Sequence, residues 1–371
     1  MDLEAMRRTP GEFRVLEYEV PDFVGDCTGC DYGDPDAAHL RELRQEFALD
    51  AVVAGIDREW EQLLALKRWV RSRWDHGWSR SGAEVKTALD ILRCAARGEQ
   101  FNCGYYATVL RECCTALGFP ARPVGAGIER GEFPRDYNYG NVGHSVMEAW
   151  SNDHRKWVLL DADLNVHYQR AGEPLNALDL HDAWLSGAAD GVEMVQDEPG
   201  FVIPTGETLK VRNELHNGEE VSAEAMRLTM ERFGRHRVLD YYARITVAGR
   251  QWVDRRCLPT FIAHFQPGWQ LRGSSHPPDL YWSVNLVRPC LTPSWDEDGT
   301  RLEVQLQHCM PFFSHYEARI DEAAWARCEE SFAWPMNEGL NTLECRAANS
   351  RDRRGPAGRI VVAYAGPRWS W

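Results

Sequence analysis

The sequence predicts a mixed α+β protein, and three observations carry that expectation. Apolar residues recur with helical spacing through residues 56–117, the period changes to two over residues 121–163, and the last quarter holds short β-like runs separated by turn clusters. A chain of 371 residues is long enough for two domains. The expected boundaries are an N-terminal extension over 1–54, an α+β domain over 55–275 with its core at 55–185, and an antiparallel β-sandwich-like domain over 276–371.

A strand is expected at 13–20, then a turn-rich stretch to residue 36 and a helix-like segment from Ala37. Ile56, Trp60, Leu63, Leu64, Val70 and Trp74 share one helical stripe. Residues 87–96 form a second such helix, stopped by Gly98. A third opens near Asn102, with Tyr106, Val109, Leu110, Cys113, Cys114 and Leu117 on one face, and Gly118 and Pro120 end it. Residues 121–124 then read as a strand and 125–143 as a loop. A hairpin follows, with strands 144–150 and 156–163 around the polar turn 151–155. Further helices are expected at 174–185 and 222–233, with a boundary or crossing segment at 187–206. Strands at 280–287, 301–306, 312–320, 340–347 and 358–364 make the C-terminal sandwich.

Composition narrows the function. A net charge of −14 disfavours a general nucleic-acid binder and a protein of anionic membrane surfaces. No apolar run approaches the ~18 residues a membrane span needs, and residues 1–14 lack the continuous apolar stretch of a signal peptide. Eleven cysteines is an odd number, so the chain cannot pair them all internally. A reduced, cytoplasmic protein with thiols available for chemistry is the expectation.

Cys103 is the most informative of those thiols. Asn102 is a good helix N-cap, which places Cys103 in the first turn, where the helix dipole favours a thiolate. A sulfur nucleophile needs a base to take its proton and return it to the leaving group. His144 opens one strand of the hairpin and two aspartates lie at the end of the other. A tight turn at 152–153 pairs His144 with Asp161, and a four-residue turn pairs it with Asp163, so strand arithmetic leaves both open. Either carboxylate can orient the imidazole as the third member of a triad.

These residues carry a resemblance. The run Phe101-Asn-Cys-Gly-Tyr-Tyr-Ala-Thr-Val-Leu110 with Ala116-Leu-Gly-Phe-Pro-Ala-Arg122 resembles the cysteine segment of the transglutaminase-like superfamily. Gly143-His-Ser-Val-Met-Glu-Ala-Trp150 and Lys156-Trp-Val-Leu-Leu-Asp161 resemble its histidine and aspartate segments, in the family order. The family pattern maps onto Cys103, His144 and Asp161, preferring Asp161 because it follows closely on Trp157. The match covers roughly 55–185. It implies a papain-like core, helices packed on an antiparallel sheet, and acyl transfer from an amide-type donor through a thioester on Cys103. The implied substrate is a protein or peptide amide; no cofactor and no metal are implied. Water is the simpler acceptor because it needs no second binding site. The tail, through Gly339-Leu-Asn-Thr-Leu-Glu-Cys-Arg-Ala347 and Gly358-Arg-Ile-Val-Val-Ala-Tyr364, resembles the last strands of an immunoglobulin or fibronectin-type module.

Other members and activities fit less well. No evident set of acidic calcium ligands supports calcium-dependent cross-linking. Peptide N-glycanases bring paired C-x-x-C motifs, whereas Cys27-Thr-Gly-Cys30 stands alone and reads as a metal-free loop pair. Arylamine N-acetyltransferase-like transfer from coenzyme A shares the triad chemistry but not the sequence around Cys103. A catalytically silent binding or scaffold module has no physical need of all three triad residues. Candidate oxyanion or cleft groups are Gln100, Trp78 and Trp150, beside the Cys103 backbone N–H. His154 and His181 suit surface or packing roles, His167 lies near the expected site, and the loop with Tyr137, Asn138 and Tyr139 precedes His144.

Overall fold

The computed structural model describes residues 13–77, 79, 81, 84–127, 143–188, 191–200, 242, 244–252, 272–296 and 299–366. The helix expected at 222–233 and the loop at 129–141 lie outside these residues. The chain divides into two compact units: Met1–Gly29 with Tyr281–Trp371, and Cys30–Leu280. The stretch 1–54 is shared between them. Its strand β1 (Phe13–Glu19) belongs to the first unit, and its helices α1 (Ala38–Glu46) and α2 (Leu49–Val53) belong to the second.

In the second unit the helices come first: α1 and α2, then α3 (Glu59–Arg71), α4 (Ala88–Ala95) and α5 (Cys103–Ala116). The strands β2 (Ala121–Gly127), β3 (Gly143–Ser151), β4 (Lys156–Asp161), β5 (Val166–Arg170) and β6 (Glu173–Pro174) follow, with α6 (Ala177–Leu185). After them come β7 (Glu193–Gln196), β8 (Arg244–Val247), β9 (Arg250–Trp252) and β10 (Arg272–Ser274). The described strands form one sheet in the order β10-β9-β8-β2-β3-β4-β5-β6, with β7 also paired to β5. All pairs are antiparallel except β9 with β10. Residues 187–206, read from the sequence as a crossing segment, therefore contribute a strand to this sheet.

The helices start where side chains satisfy their free N–H groups. Thr87 caps α4, Asn102 caps α5 by accepting from the Gly104 N–H at 3.1 Å, and Asn176 with Asp179 forms a capping box on α6. The α5 face expected from the sequence is buried: Tyr106, Val109, Leu110, Cys113, Cys114 and Leu117 all pack into one core with α1, α3 and α4 and with Met147, Ala149, Val158 and Leu160 of the sheet. Helix α5 lies against β2 and β3. Its first residue is thereby fixed beside the strand that carries His144.

The first unit is a two-sheet antiparallel structure. Its strands are β11 (Val287–Asp296), β12 (Gly299–His308), β13 (Phe313–Ile320), β14 (Ala326–Cys328), β15 (Ser331–Pro335), β16 (Gly339–Asn349) and β17 (Gly358–Tyr364), with β1. One sheet runs β1-β17-β16-β13-β14 and the other β11-β12-β15. Leu291, Leu302, Val304 and Trp334 of the smaller sheet share a core with Tyr316, Leu343, Ile360 and Val362 of the larger. This is the β-sandwich expected of the tail. Two details differ from the sequence reading. Residues 281–286 are irregular, so the first sandwich strand begins at Val287, and the short strands β14 and β15 carry too few alternating residues to stand out.

Candidate active site

The hairpin register decides what faces the site. Ser151 pairs with Lys156 and Met147 with Leu160, so the connection is the four-residue turn 152–155. Continued three residues beyond Met147 and Leu160, that register sets His144 opposite Asp163. Yet β4 ends at Asp161, and the chain turns away through residues 162–165. The imidazole takes the nearer carboxylate: His144 Nε2 lies 2.7 Å from Asp161 Oδ2. The other oxygen, Oδ1, accepts from the Leu164 N–H at 3.0 Å, which fixes the carboxylate plane.

Cys103 is half-buried at the first position of α5, and His144 and Asp161 are buried. Cys103 Sγ, a ring nitrogen of His144 and an oxygen of Asp163 all lie within 4.8 Å of one another. Because Nε2 is held by Asp161, the opposite edge of the ring serves the sulfur. Burial works against the charged form of His144, but the Asp161 carboxylate and a hydrogen bond with Cys103 outweigh it and hold the histidine well above its ordinary pKa. The charged form of the ring is thereby favoured beside the sulfur, with a carboxylate behind it.

Asp163 has its own partner. Its two oxygens lie 2.8 and 2.9 Å from His76 Nδ1, and both residues are buried. His76 is tied to the start of α5: it forms a bridge with Phe101, and the Gly77 N–H donates to the Phe101 carbonyl at 3.1 Å. A second His–Asp pair thus adjoins the first. Sequence reading did not single out His76, since its partner is 87 residues away. The available signal was the i, i+2 spacing of Asp161 and Asp163.

The remaining candidates fall into place as follows. Trp78 lies outside the described residues, and Gln100 is half-buried in the segment leading to Cys103. Trp150 is buried at the turn end of the hairpin, where its indole N–H donates to Asn152 Oδ1 at 2.9 Å, so that donor is already engaged away from the reacting end. His154 and His167 both stack edge-on against Trp60, and His181 Nδ1 bonds the Tyr242 carbonyl. His167 thus packs against α3. The motif residues Arg122 and Glu148 form a fully buried ion pair at 2.7 Å; Arg122 also stacks over Trp157 and donates to the Leu280 carbonyl. Glu148 accepts as well from Ala177 N–H, the first amide of α6. Their roles are architectural. Tyr106 of α5 and Arg71 of α3 both donate to the Trp74 carbonyl, which locks the two helices together below Cys103.

A thiol at a capped helix start, an imidazole on an adjoining strand and a carboxylate behind it define the class of cysteine-dependent enzymes built on an α+β core. Residues 47–162 match the family described as Transglutaminase-like superfamily. Comparison with curated proteins gives no match. Among solved structures, the chain is similar to one described as "a Putative Cysteine Protease from Cytophaga hutchinsonii", with 14% identity over 50% of this chain and 58% of that one, at a TM-score of 0.27. It is also similar to red sea bream transglutaminase, with 10% identity over 98% of this chain and 78% of that one, at a TM-score of 0.26. The chain spans 58% of the first of these. No described helix is long and apolar enough to cross a membrane.

Proposed function

We propose that the protein transfers an acyl group from a protein or peptide amide through a thioester on Cys103. The observation that supports this most directly is the line from Cys103 to His144 to Asp161, with the sulfur within 4.8 Å of an imidazole nitrogen and the 2.7 Å bond behind that ring. His144 takes the Cys103 thiol proton as the sulfur attacks the amide carbonyl carbon, and the Cys103 N–H at the helix start donates to the resulting oxyanion. His144 gives its proton to the leaving nitrogen as the C–N bond breaks, which leaves a thioester and a free amine. The neutral ring then takes a proton from the acceptor, water in the simplest case. The acceptor oxygen attacks the thioester, the C–S bond breaks, and Cys103 is regenerated. Asp161 holds the imidazole orientation through both steps. A cytoplasmic setting keeps the thiol reduced, and hydrolysis is the favoured outcome.

The test is capture of the acyl-enzyme. Wild-type protein mixed with an activated acyl donor and quenched on the millisecond scale is digested and analysed by mass spectrometry. The expected adduct sits on the Cys103 peptide, disappears in Cys103→Ser, and accumulates more slowly in His144→Gln. An adduct distributed over other cysteines, or turnover that survives in Cys103→Ala, overturns the reading.

A further inference from the structure

The feature left over by the triad is Asp163. It is buried, it is not the carboxylate that holds His144, and one of its oxygens lies within 4.8 Å of both the Cys103 sulfur and a His144 ring nitrogen. Three atoms no more than 4.8 Å apart all fit within about 2.8 Å of one common point. A Zn²⁺ ion sits about 2.0–2.3 Å from sulfur, nitrogen and oxygen ligands, so a contraction of roughly half an ångström per ligand closes the site. The three donors are a thiolate, an imidazole and a carboxylate. That mixture suits a borderline transition-metal dication and not Mg²⁺ or Ca²⁺, which call for oxygen ligands throughout.

Two further observations favour a cation at this point. Each ligand is held from behind. Asp163 is gripped by His76 Nδ1 through both oxygens, His144 by Asp161, and Cys103 by the Asn102-capped start of α5. Outer partners of this kind orient metal ligands and sharpen affinity. Two buried carboxylates, each backed by or backing an imidazole, and a sulfur converge at this point. The ligands come from a helix start, a strand and a turn, so no short sequence spacing announces them.

We infer that Cys103, His144 and Asp163 form a three-ligand site for a borderline divalent metal ion such as Zn²⁺, with His76 as the outer partner of Asp163, and that metal occupancy withholds the Cys103 sulfur from acyl transfer. Coordination uses the sulfur electron pair that attacks the carbonyl, so the metal-bound and reactive forms exclude one another. Metal binding requires only the convergence of the three atoms; the inhibitory consequence rests on the proposed acyl-transfer reading.

The experiment uses Co²⁺ as a spectroscopic probe and Zn²⁺ as competitor on the full chain. Wild-type protein is expected to show a Co²⁺–thiolate charge-transfer band of unit stoichiometry that Zn²⁺ removes and Mg²⁺ does not. Cys103→Ser abolishes the band, and Asp163→Asn, which removes a charged ligand, weakens binding by more than the roughly 10- to 100-fold typical of losing an outer partner. His76→Gln, which removes the outer partner, weakens it about 10- to 100-fold. A band that persists in Cys103→Ser, or Zn²⁺ bound equally well by Asp163→Asn, overturns the site. A third measurement needs no variant: Zn²⁺ slows alkylation of Cys103 in wild-type protein and a chelator restores it, and absence of that protection also overturns the site. The two readings fail separately. A Cys103-dependent band without any acyl adduct sinks the acyl-transfer proposal and keeps the metal site, whereas an adduct without the band does the reverse.

Discussion

Asp161 holds His144 at 2.7 Å although the hairpin register sets Asp163 opposite that histidine. The reason is local. The strand ends at Asp161, the Leu164 N–H pins its second oxygen, and Asp163, carried into the following turn, is claimed by His76. Two carboxylates at i and i+2 thus reach one site with different partners, and only one stands behind the imidazole.

That division predicts the effect of removing the carboxylate charge at Asp161. In Asp161→Asn the side-chain shape survives, but the amide presents a donor as well as an acceptor and no longer compensates the imidazolium. The expected result is a fall in kcat of about 10²- to 10⁴-fold with little change in KM. Steady-state kinetics on an activated ester or amide donor reads it. Activity within a factor of about three of wild type removes Asp161 from the orienting role.

The same comparison shows what is legible in sequence. The capped start of α5, its buried face and the hairpin follow from local signals, namely Asn102 beside Cys103 and period-two alternation around a polar turn. Turn length is less legible, because residues 151–155 are polar throughout and the strands tolerate either register. The partnership of His76 with Asp163 is not legible, since it is created by packing across 87 residues. The strand β1 is visible as alternation, but its partner is β17, the last described strand, and nothing local to Phe13–Glu19 specifies that pairing.

Arg122 and Glu148 offer a stability test. Both side chains are fully buried, and Glu148 also holds the first amide of α6. Removing one partner leaves a charge in the core, so Arg122→Met is expected to destabilise the fold by about 3–5 kcal/mol. Pairing it with Glu148→Gln, which keeps an acceptor for Ala177, recovers part of that loss. Urea unfolding of the two variants measures the difference. Equal stability of Arg122→Met and wild type contradicts the assignment of this pair as a structural anchor.

His167 gives the protein an acid-sensitive position. Burial, reinforced by the nearby Lys67 ammonium, lowers its pKa to about 4 from an ordinary value near 6.5. The unfolded chain therefore binds this proton first as pH falls, and stability drops progressively between about pH 6.5 and 4. A displacement of this size corresponds to about 3 kcal/mol over the whole window, with no further loss from this group below it. His167→Phe keeps a ring against Trp60, whose centroid lies 5.2 Å away, and removes the titration. Denaturant midpoints across the window are expected to slope less in the variant. Parallel slopes for variant and wild type count against a depressed His167.

Cys27 is a second thiol set apart from the other cysteines, through a partner the C-x-x-C spacing does not suggest. It lies in a short 3-10 turn, and a hydrogen bond from Cys309 lowers its pKa to about 7, while burial works in the opposite direction. Cys309 remains protonated because the Cys27 sulfur and burial both raise it. The expected consequence is site-resolved alkylation of Cys27 with a midpoint near pH 7, moving toward the ordinary thiol range in Cys309→Ala. The rate effect is smaller than the thiolate population implies. At pH 7.4 the lower pKa raises the thiolate fraction by about 30-fold, but a less basic thiolate is also a poorer nucleophile, by about 8-fold for a shift of this size. The net loss of rate in Cys309→Ala is therefore about three- to fourfold, and the displaced midpoint is the sharper readout. An unchanged midpoint in Cys309→Ala dissociates the two sulfurs. The outcome also governs any thiol-labelling test of Cys103, since a second thiol reactive near neutral pH must be resolved from it peptide by peptide.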